Sequence, residues 1–170
     1  MNVIKLVKSL YWRFIATPEA YARHIGVNIG KNNLIGKKHW SSEPYLITVG
    51  SNCQLTDSQI FTHGGGQAIR HLYPDFDCFG KVVIGDYVYI GAKALIMPGV
   101  TIGDHCIVAA GSVVTKSVPS GSMVGGNPAK VLGNIEDYYE RNKQYDLRSK
   151  NRPNKKEFLL SLPDSAFIKK

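Results

Sequence analysis

From residue 84 the chain reads, in successive sixes, IGDYVY, IGAKAL, IMPGVT, IGDHCI, VAAGSV and VTKSVP, and the first column of that alignment is Ile or Val throughout. The fifth column, Val88, Ala94, Val100, Cys106, Ser112 and Val118, is small or aliphatic. A period of six does not fit the 3.6-residue turn of a helix. Gly85, Gly91, Pro98, Gly99, Gly103 and Gly111 would each cost a helix about 1 kcal/mol or more. A short strand carrying one inward aliphatic, then a turn, satisfies the columns when three such units close a three-sided coil of 18 residues. Successive coils then pair by parallel backbone hydrogen bonds about 4.8 Å apart. Ile84 is predicted to stack on Ile102, Ile90 on Val108 and Ile96 on Val114, β-branched side chains that suit a pleated wall.

Upstream, VGSNCQ, LTDSQI and FTHGGG give three more hexads starting at 49, 55 and 61, and IGKNNL and IGKKHW two looser ones at 29 and 35. The hexads at 61 and 84 are out of phase, so an irregular excursion is expected between about 65 and 82. Loops carried on a rigid scaffold are where chemistry concentrates. Residues 1–24 read as a helical cap with Ile4, Val7, Leu10, Tyr11 and Phe14 on one face. After Gly133 the pattern changes to IEDYYERNKQY, a predicted helix, then a polar linker and a second short helix, KKEFLLSLP. The organisation is therefore an N-terminal cap at 1–24, an all-β solenoid of hexapeptide repeats at 25–133 with its loop at 65–82, and a basic helical extension at 134–170.

No apolar run of 18 residues occurs, and Lys5, Lys8 and Arg13 interrupt the first apolar stretch. A soluble, cytoplasmic protein is the expectation. Three cysteines without a CxxC spacing argue against a disulfide framework or a zinc knuckle, and Cys53 and Cys106 fall on inward positions as small hydrophobes. The formal charge is +8, with Arg141, Lys143, Arg148, Lys150, Arg152, Lys155 and Lys156 against Asp146 alone between 141 and 156. That run fits coenzyme phosphates, an acidic glycan or peripheral contact with an anionic membrane, and equally a solvated tail. Nucleic acid is not expected, because no recognised binding motif accompanies the charge.

The hexads, the phrase AAGSVVTKSVPSG and the ending GGNPAKVL together resemble the hexapeptide-repeat acetyltransferases, in particular the sugar O-acetyltransferase branch with the galactoside and maltose acetyltransferases. The resemblance covers about 25–133. SEPYLITVG followed by FTHGGG is most similar to enzymes that acetylate sugars in bacterial surface or capsular polysaccharide synthesis. It implies a left-handed parallel β-helix, acetyl-CoA as cosubstrate without a metal, a homotrimer with its active site between adjacent subunits, and a sugar or oligosaccharide acceptor.

Moving an acetyl group from a thioester to a hydroxyl needs a base for the hydroxyl proton and donors for the tetrahedral oxyanion. Among five histidines, His105 lies at a solvent-facing repeat position, His24 and His39 near the chain's entry, and His71 in the excursion. His63 opens directly into Gly64, Gly65 and Gly66 at the start of the loop. By resemblance it occupies the catalytic-histidine position. Many relatives have an acidic residue immediately after this histidine, where this chain has Gly64, so the group that orients His63 is left open among Asp57, Glu43, Asp75 and Asp77.

Ala92 and Ala110, 18 apart, form a shallow corner groove with accessible backbone, suited to an extended pantetheine arm, and a further 18 reaches Pro128. Thr115, Lys116 and Lys130 lie near it, the lysines suited to phosphates. By resemblance these six residues bind the coenzyme. Tyr89 and the loop residues Arg70, His71, Tyr73, Asp75 and Phe79 are candidates for the acceptor pocket.

Three other readings compete. The γ-class carbonic anhydrases share the solenoid but carry two histidines five apart in one repeat, and five after His105 stands Ala110. N-acetylation of an amino sugar or a xenobiotic uses the same chemistry. A non-enzymatic β-solenoid binding module needs only the repeat.

Overall fold

A two-residue strand between tight turns has one inward and one outward side chain, so a column of inward aliphatics can close a core only when strands from successive coils lie in register. The computed structural model describes residues 11, 12, 15–36 and 39–169. In it Ile84, Ile90, Ile96, Ile102, Val108 and Val114 are each at most 1% exposed. Strands arrive in threes: β1 (Asn28–Ile29), β2 (Leu34–Ile35) and β3 (His39–Trp40); β4 (Ile47–Val49), β5 (Gln54–Leu55) and β6 (Gln59–Ile60); β7 (Val82–Ile84), β8 (Tyr89–Ile90) and β9 (Leu95–Ile96); β10 (Thr101–Ile102), β11 (Ile107–Val108) and β12 (Val113–Val114). Each member of a triplet belongs to a different sheet, in the orders β1-β4-β7-β10, β2-β5-β8-β11 and β3-β6-β9-β12, and every one of these pairings is parallel. The chain thus visits three parallel sheets in rotation. Ile84 pairs with Ile102, Ile90 with Val108 and Ile96 with Val114, as the columns predict.

Turning a corner every few residues strands backbone N–H groups, which must find acceptors. At the corner after the first sheet, side chains of one coil supply them for the coil before it. Ser51 N–H donates to Asp86 Oδ1 at 2.7 Å, Asp86 N–H to Asp104 Oδ1 at 2.7 Å, and Asp104 N–H to Ser120 Oγ at 3.0 Å. The turns themselves use left-handed backbone at Asn32, Asn52, Tyr87 and His105, whose φ values lie between 54° and 61°.

Both ends of the solenoid are covered. Helix α1 (Pro18–His24) starts at Thr17, whose hydroxyl accepts from Ala20 N–H, and closes the first coil. Arg23 donates to the carbonyls of Ile29 and Gly30, and Glu19 accepts from Asn33 N–H. At the far end β13 (Ser122–Gly126) continues the second sheet and folds back antiparallel on β14 (Ala129–Asn134). Helix α2 (Gly66–Ile69) lies in the excursion, and α3 (Ile135–Asn142), capped by Asn134 and Asp137, and α4 (Lys155–Leu160) lie in the extension. Among the described residues no helix is long and apolar enough to cross a membrane.

Three expectations are corrected. The inward residue of β6 is Ile60, paired with Ile96, so the unit before it is five residues long and Phe61 does not start a hexad in register. The excursion is the larger irregularity: 24 positions separate Ile60 from Ile84 on consecutive sides, against six at each step from Ile84 to Val114. Beyond Val114 the step shortens, because Val118 bridges to Ile102 and Val124 pairs with Val108, both 16 apart. Ala110 is therefore followed on its corner by Gly126, and Pro128 stands two residues on, at the hairpin tip. Finally, residues 1–24 are not one helix: Thr17 is extended, as the residue before a proline prefers, and restarts the chain at Pro18. Ile4, Val7, Leu10 and Phe14 lie outside the described residues.

Replacing a fully buried column residue should cost the coil directly. Ile96→Ala is expected to lower the unfolding free energy by about 2–5 kcal/mol in urea titrations. A loss below about 0.5 kcal/mol would contradict the central place given to the column.

Candidate active site

Two irregular segments leave the third sheet at the same corner. Three residues beyond Trp40, the inward position of β3, stands Glu43, and three residues beyond Ile60, the inward position of β6, stands His63. Because Trp40 and Ile60 are register partners, the two offsets bring the side chains together. His63 Nδ1 lies 2.7 Å from Glu43 Oε2. The imidazole is 39% exposed and the carboxylate 17%.

Glu43 is held from behind. Thr62, whose side chain is buried, donates its hydroxyl to Glu43 Oε2 at 2.7 Å. The Thr62 and Ser41 hydroxyls are 2.6 Å apart, and Thr62 N–H donates to Ser41 Oγ. The Thr62 hydrogen bond, then those from Ser42 and His63, hold the Glu43 carboxyl below the usual carboxylate range against the opposing pull of desolvation. Glu43 is therefore a carboxylate at neutral pH, an acceptor only. The hydrogen bond it receives from the imidazole must come from an Nδ1 proton, which in the neutral ring leaves Nε2 as the unprotonated nitrogen.

Around this pair lies a cavity of about 360 Å³, lined by Glu43, His63, the three glycines, Gln67, Arg70, Asp77, Cys78 and Phe79. The return of the excursion pairs with the outgoing strand, as His63 bridges antiparallel to Phe79 and Gly80 N–H donates to Thr62 O at 2.7 Å. The two rings are 5.4 Å apart. A Cβ on Gly80 would stand 2.3 Å from the Gly99 nitrogen, so only glycine lets the loop rejoin the coil there. At Gly64 a Cβ would meet no atom within 4 Å, so the chain is open on that side of the imidazole.

Of the four carboxylates left open as orienting partners, Glu43 holds His63. Asp57 is paired with Lys93 at 2.6 Å, Asp77 with Arg70 at 3.1 Å, and Asp75 is exposed in the excursion. Of the acceptor-side candidates, Arg70 and Phe79 line the cavity; His71, Tyr73 and Asp75 are exposed and do not, and Tyr89 projects outward from β8 on the second sheet. Thr62, Ser41, Gln67 and Cys78 carry no motif or spacing that singles them out in the sequence. His105 stacks on Tyr87 and His24 on Trp12. Cys53 and Cys106 are buried, which pushes their thiols up. Among the described residues no cluster of three or more His, Cys, Asp or Glu is placed to hold a metal ion.

A second cavity of about 370 Å³ gathers Thr115, Lys116, Pro128 and Lys130 between the last coil and the hairpin. Ala92 and Ala110 are stacked as expected, with Gly111 N–H donating to Ala92 O at 2.9 Å, but they do not line it. A Cβ on Gly91 would stand 2.5 Å from the Ala110 nitrogen, so this corner is tight.

Residues 81–116 match the family model described as bacterial transferase hexapeptide (six repeats). Protein CapG of Staphylococcus aureus is 42% identical over 121 residues, 68% of this chain and 70% of that protein. The galactoside O-acetyltransferase of Escherichia coli K12 is 29% identical, over 78% of this chain and 64% of its own length. Among solved structures, a maltose O-acetyltransferase from Clostridium difficile 630 superposes with a TM-score of 0.55 at 26% identity, over 76% of this chain and 84% of that one.

If the Thr62 hydroxyl holds Glu43 ionised, Thr62→Val should return the Glu43 carboxyl toward the usual range, read as the carbon-13 titration of that side chain. Because the folded pKa is depressed, the pair's contribution to stability is fully present above the usual carboxylate range and lost as pH falls from that range through the lowered folded pKa. The stability gap between wild type and Glu43→Gln should accordingly narrow on acidification. An unchanged Glu43 titration in Thr62→Val would refute the assignment.

Proposed function

The chain belongs to the hexapeptide-repeat transferases, and from that premise we propose that it moves an acetyl group from acetyl-CoA to a hydroxyl of a sugar acceptor, in surface or capsular polysaccharide synthesis. The observation that carries this reading is the 2.7 Å contact between His63 Nδ1 and Glu43 Oε2 at the mouth of a polar cavity. Nε2 of His63 takes the acceptor's hydroxyl proton as its oxygen attacks the thioester carbonyl. The tetrahedral oxyanion collapses, expels the coenzyme sulfur, and the proton on Nε2 goes to that sulfur. Glu43 keeps the tautomer and stabilises the imidazolium that forms between the two steps. Backbone N–H groups of the glycine run are suited to the oxyanion.

The coenzyme would lie along the Ala92 and Ala110 corner, with Thr115, Lys116, Pro128 and Lys130 at its phosphate end. Their joint cavity supports that placement for four of the six. Arg70 lines the acceptor side; Tyr89 and Asp75 would take part only if a neighbouring subunit presented them. A homotrimer, with the site where two subunits meet and the coil wound left-handed, is part of the same proposal. So are a cytoplasmic location beside the acetyl-CoA supply, the division into cap, acyltransferase unit and extension at 24 and 133, and an anionic partner, such as a membrane face, for the basic extension. Names of relatives agree with this: one is a galactoside and one a maltose O-acetyltransferase.

The test is release of free thiol from acetyl-CoA against a panel of mono- and oligosaccharides, nucleotide sugars, serine and chloramphenicol. A sugar is expected to be the acceptor, and His63→Ala to lower kcat by about 100 to 10,000-fold. Near-normal turnover in that variant would remove His63 from the role, and transfer to chloramphenicol alone would replace the acceptor class.

A further inference from the structure

The excursion carries most of the cavity wall and has no core of its own. None of residues 64–80 is buried. Its neck is closed by the His63–Phe79 bridge and by the Gly80 to Thr62 hydrogen bond. Beyond the neck, the hydrogen bonds that join the outgoing limb to the returning one, among the described residues, come from one side chain. Arg70 donates from Nε to Phe76 O at 3.0 Å and from Nη2 to Asp77 Oδ1 at 3.1 Å. Those two nitrogens share one edge of the planar guanidinium, so both bonds form without strain and fix its orientation. Asp77 Oδ1 also accepts from Cys78 N–H at 3.2 Å, which ties the acid to the strand re-entering beside His63.

The glycines fit this arrangement for separate reasons. Gly65 sits at φ 77°, in the left-handed region. A Cβ on Gly66 would stand 3.1 Å from Arg70 Nη2 and 3.2 Å from its Cζ, so glycine there leaves the guanidinium room to lie across the limb. Arg70 and Asp77 both line the cavity that contains His63. A half-exposed ion pair alone contributes little to stability. Its effect here is on where the loop stands.

We infer that Arg70 is a latch: by bridging the limbs of the excursion it sets the width of the acceptor mouth beside His63, a positioning residue that determines acceptor binding and not the proton transfer. The inference rests on reading that cavity as the acceptor side of an acetyl-transfer site. Lysine cannot replace Arg70, since one ammonium cannot hold both the Phe76 carbonyl and the Asp77 carboxylate in a shared plane.

The test combines a readout that needs no activity with one that does. In Arg70→Met, amide hydrogen exchange across residues 66–78 should quicken about tenfold or more while the strands of Ile84 and Ile90 keep their protection. Arg70→Lys should raise the acceptor's KM about tenfold, leaving the KM for acetyl-CoA and the pH profile of kcat unchanged. Unchanged exchange in Arg70→Met, or an unchanged acceptor KM in Arg70→Lys, would overturn the latch. Quickened loop exchange in a protein that acetylates no acceptor would leave the latch standing as a structural device and overturn the functional reading beneath it.

Discussion

Two strands paired in register fix the relation between whatever side chains follow them at equal offsets. Every other property of the candidate site depends on that constraint. Trp40 and Ile60 are partners in the third sheet, and the third residue after each hangs at one corner, where the strand spacing of about 4.8 Å leaves two side chains within reach of a hydrogen bond. Glu43 and His63 occupy those places. The column of buried aliphatics therefore does more than stabilise the coil, because a slip of one coil against the next would part the acid from the imidazole.

The corner also divides the chemistry between order and irregularity. The core coil after Ile84 runs in sixes and carries a tight alanine corner and one wall of the second cavity. The two segments that break the period, residues 41–46 and the excursion after Ile60, leave from successive coils on the same side and carry Glu43 and His63. A rigid wall thus holds two loops whose own sequences could not hold their side chains still. The absence of an acidic residue after His63 is explained in the same way: its carboxylate arrives from the preceding coil, and Gly64 leaves the neighbouring space open.

Much of this is legible in the amino-acid sequence alone. The first and fifth columns identify the buried residues of the regular coils, and His63 stands out because the period fails immediately after it. The phase at that point reads one residue late, since Phe61 is as apolar as Ile60 and a unit of five residues leaves no mark in composition. Glu43 emerges only as one of four candidates, because a carboxylate in an aperiodic segment has no sequence partner until the register of β3 with β6 is known. The signal is present as an equal offset from Trp40 and Ile60, but reading it requires the coil to contain 20 residues there and not 18. Pro128 shows the converse error, an 18-residue step extended past Val114 where the four-residue unit from Val114 to Val118 shortens it to 16. Arg70 is visible as a loop cation, and its bond to the Phe76 carbonyl is not, because backbone acceptors leave no trace in a sequence.

The claim on which the mechanism turns is that Glu43 keeps the proton of His63 on Nδ1 and leaves Nε2 bare. Nitrogen-15 chemical shifts of the His63 ring, recorded on the neutral imidazole, report this directly. The expected result is a protonated Nδ1 and an unprotonated Nε2 in the wild type, with that preference lost in Glu43→Gln. A neutral His63 carrying its proton on Nε2 would contradict the assignment of this histidine as the base.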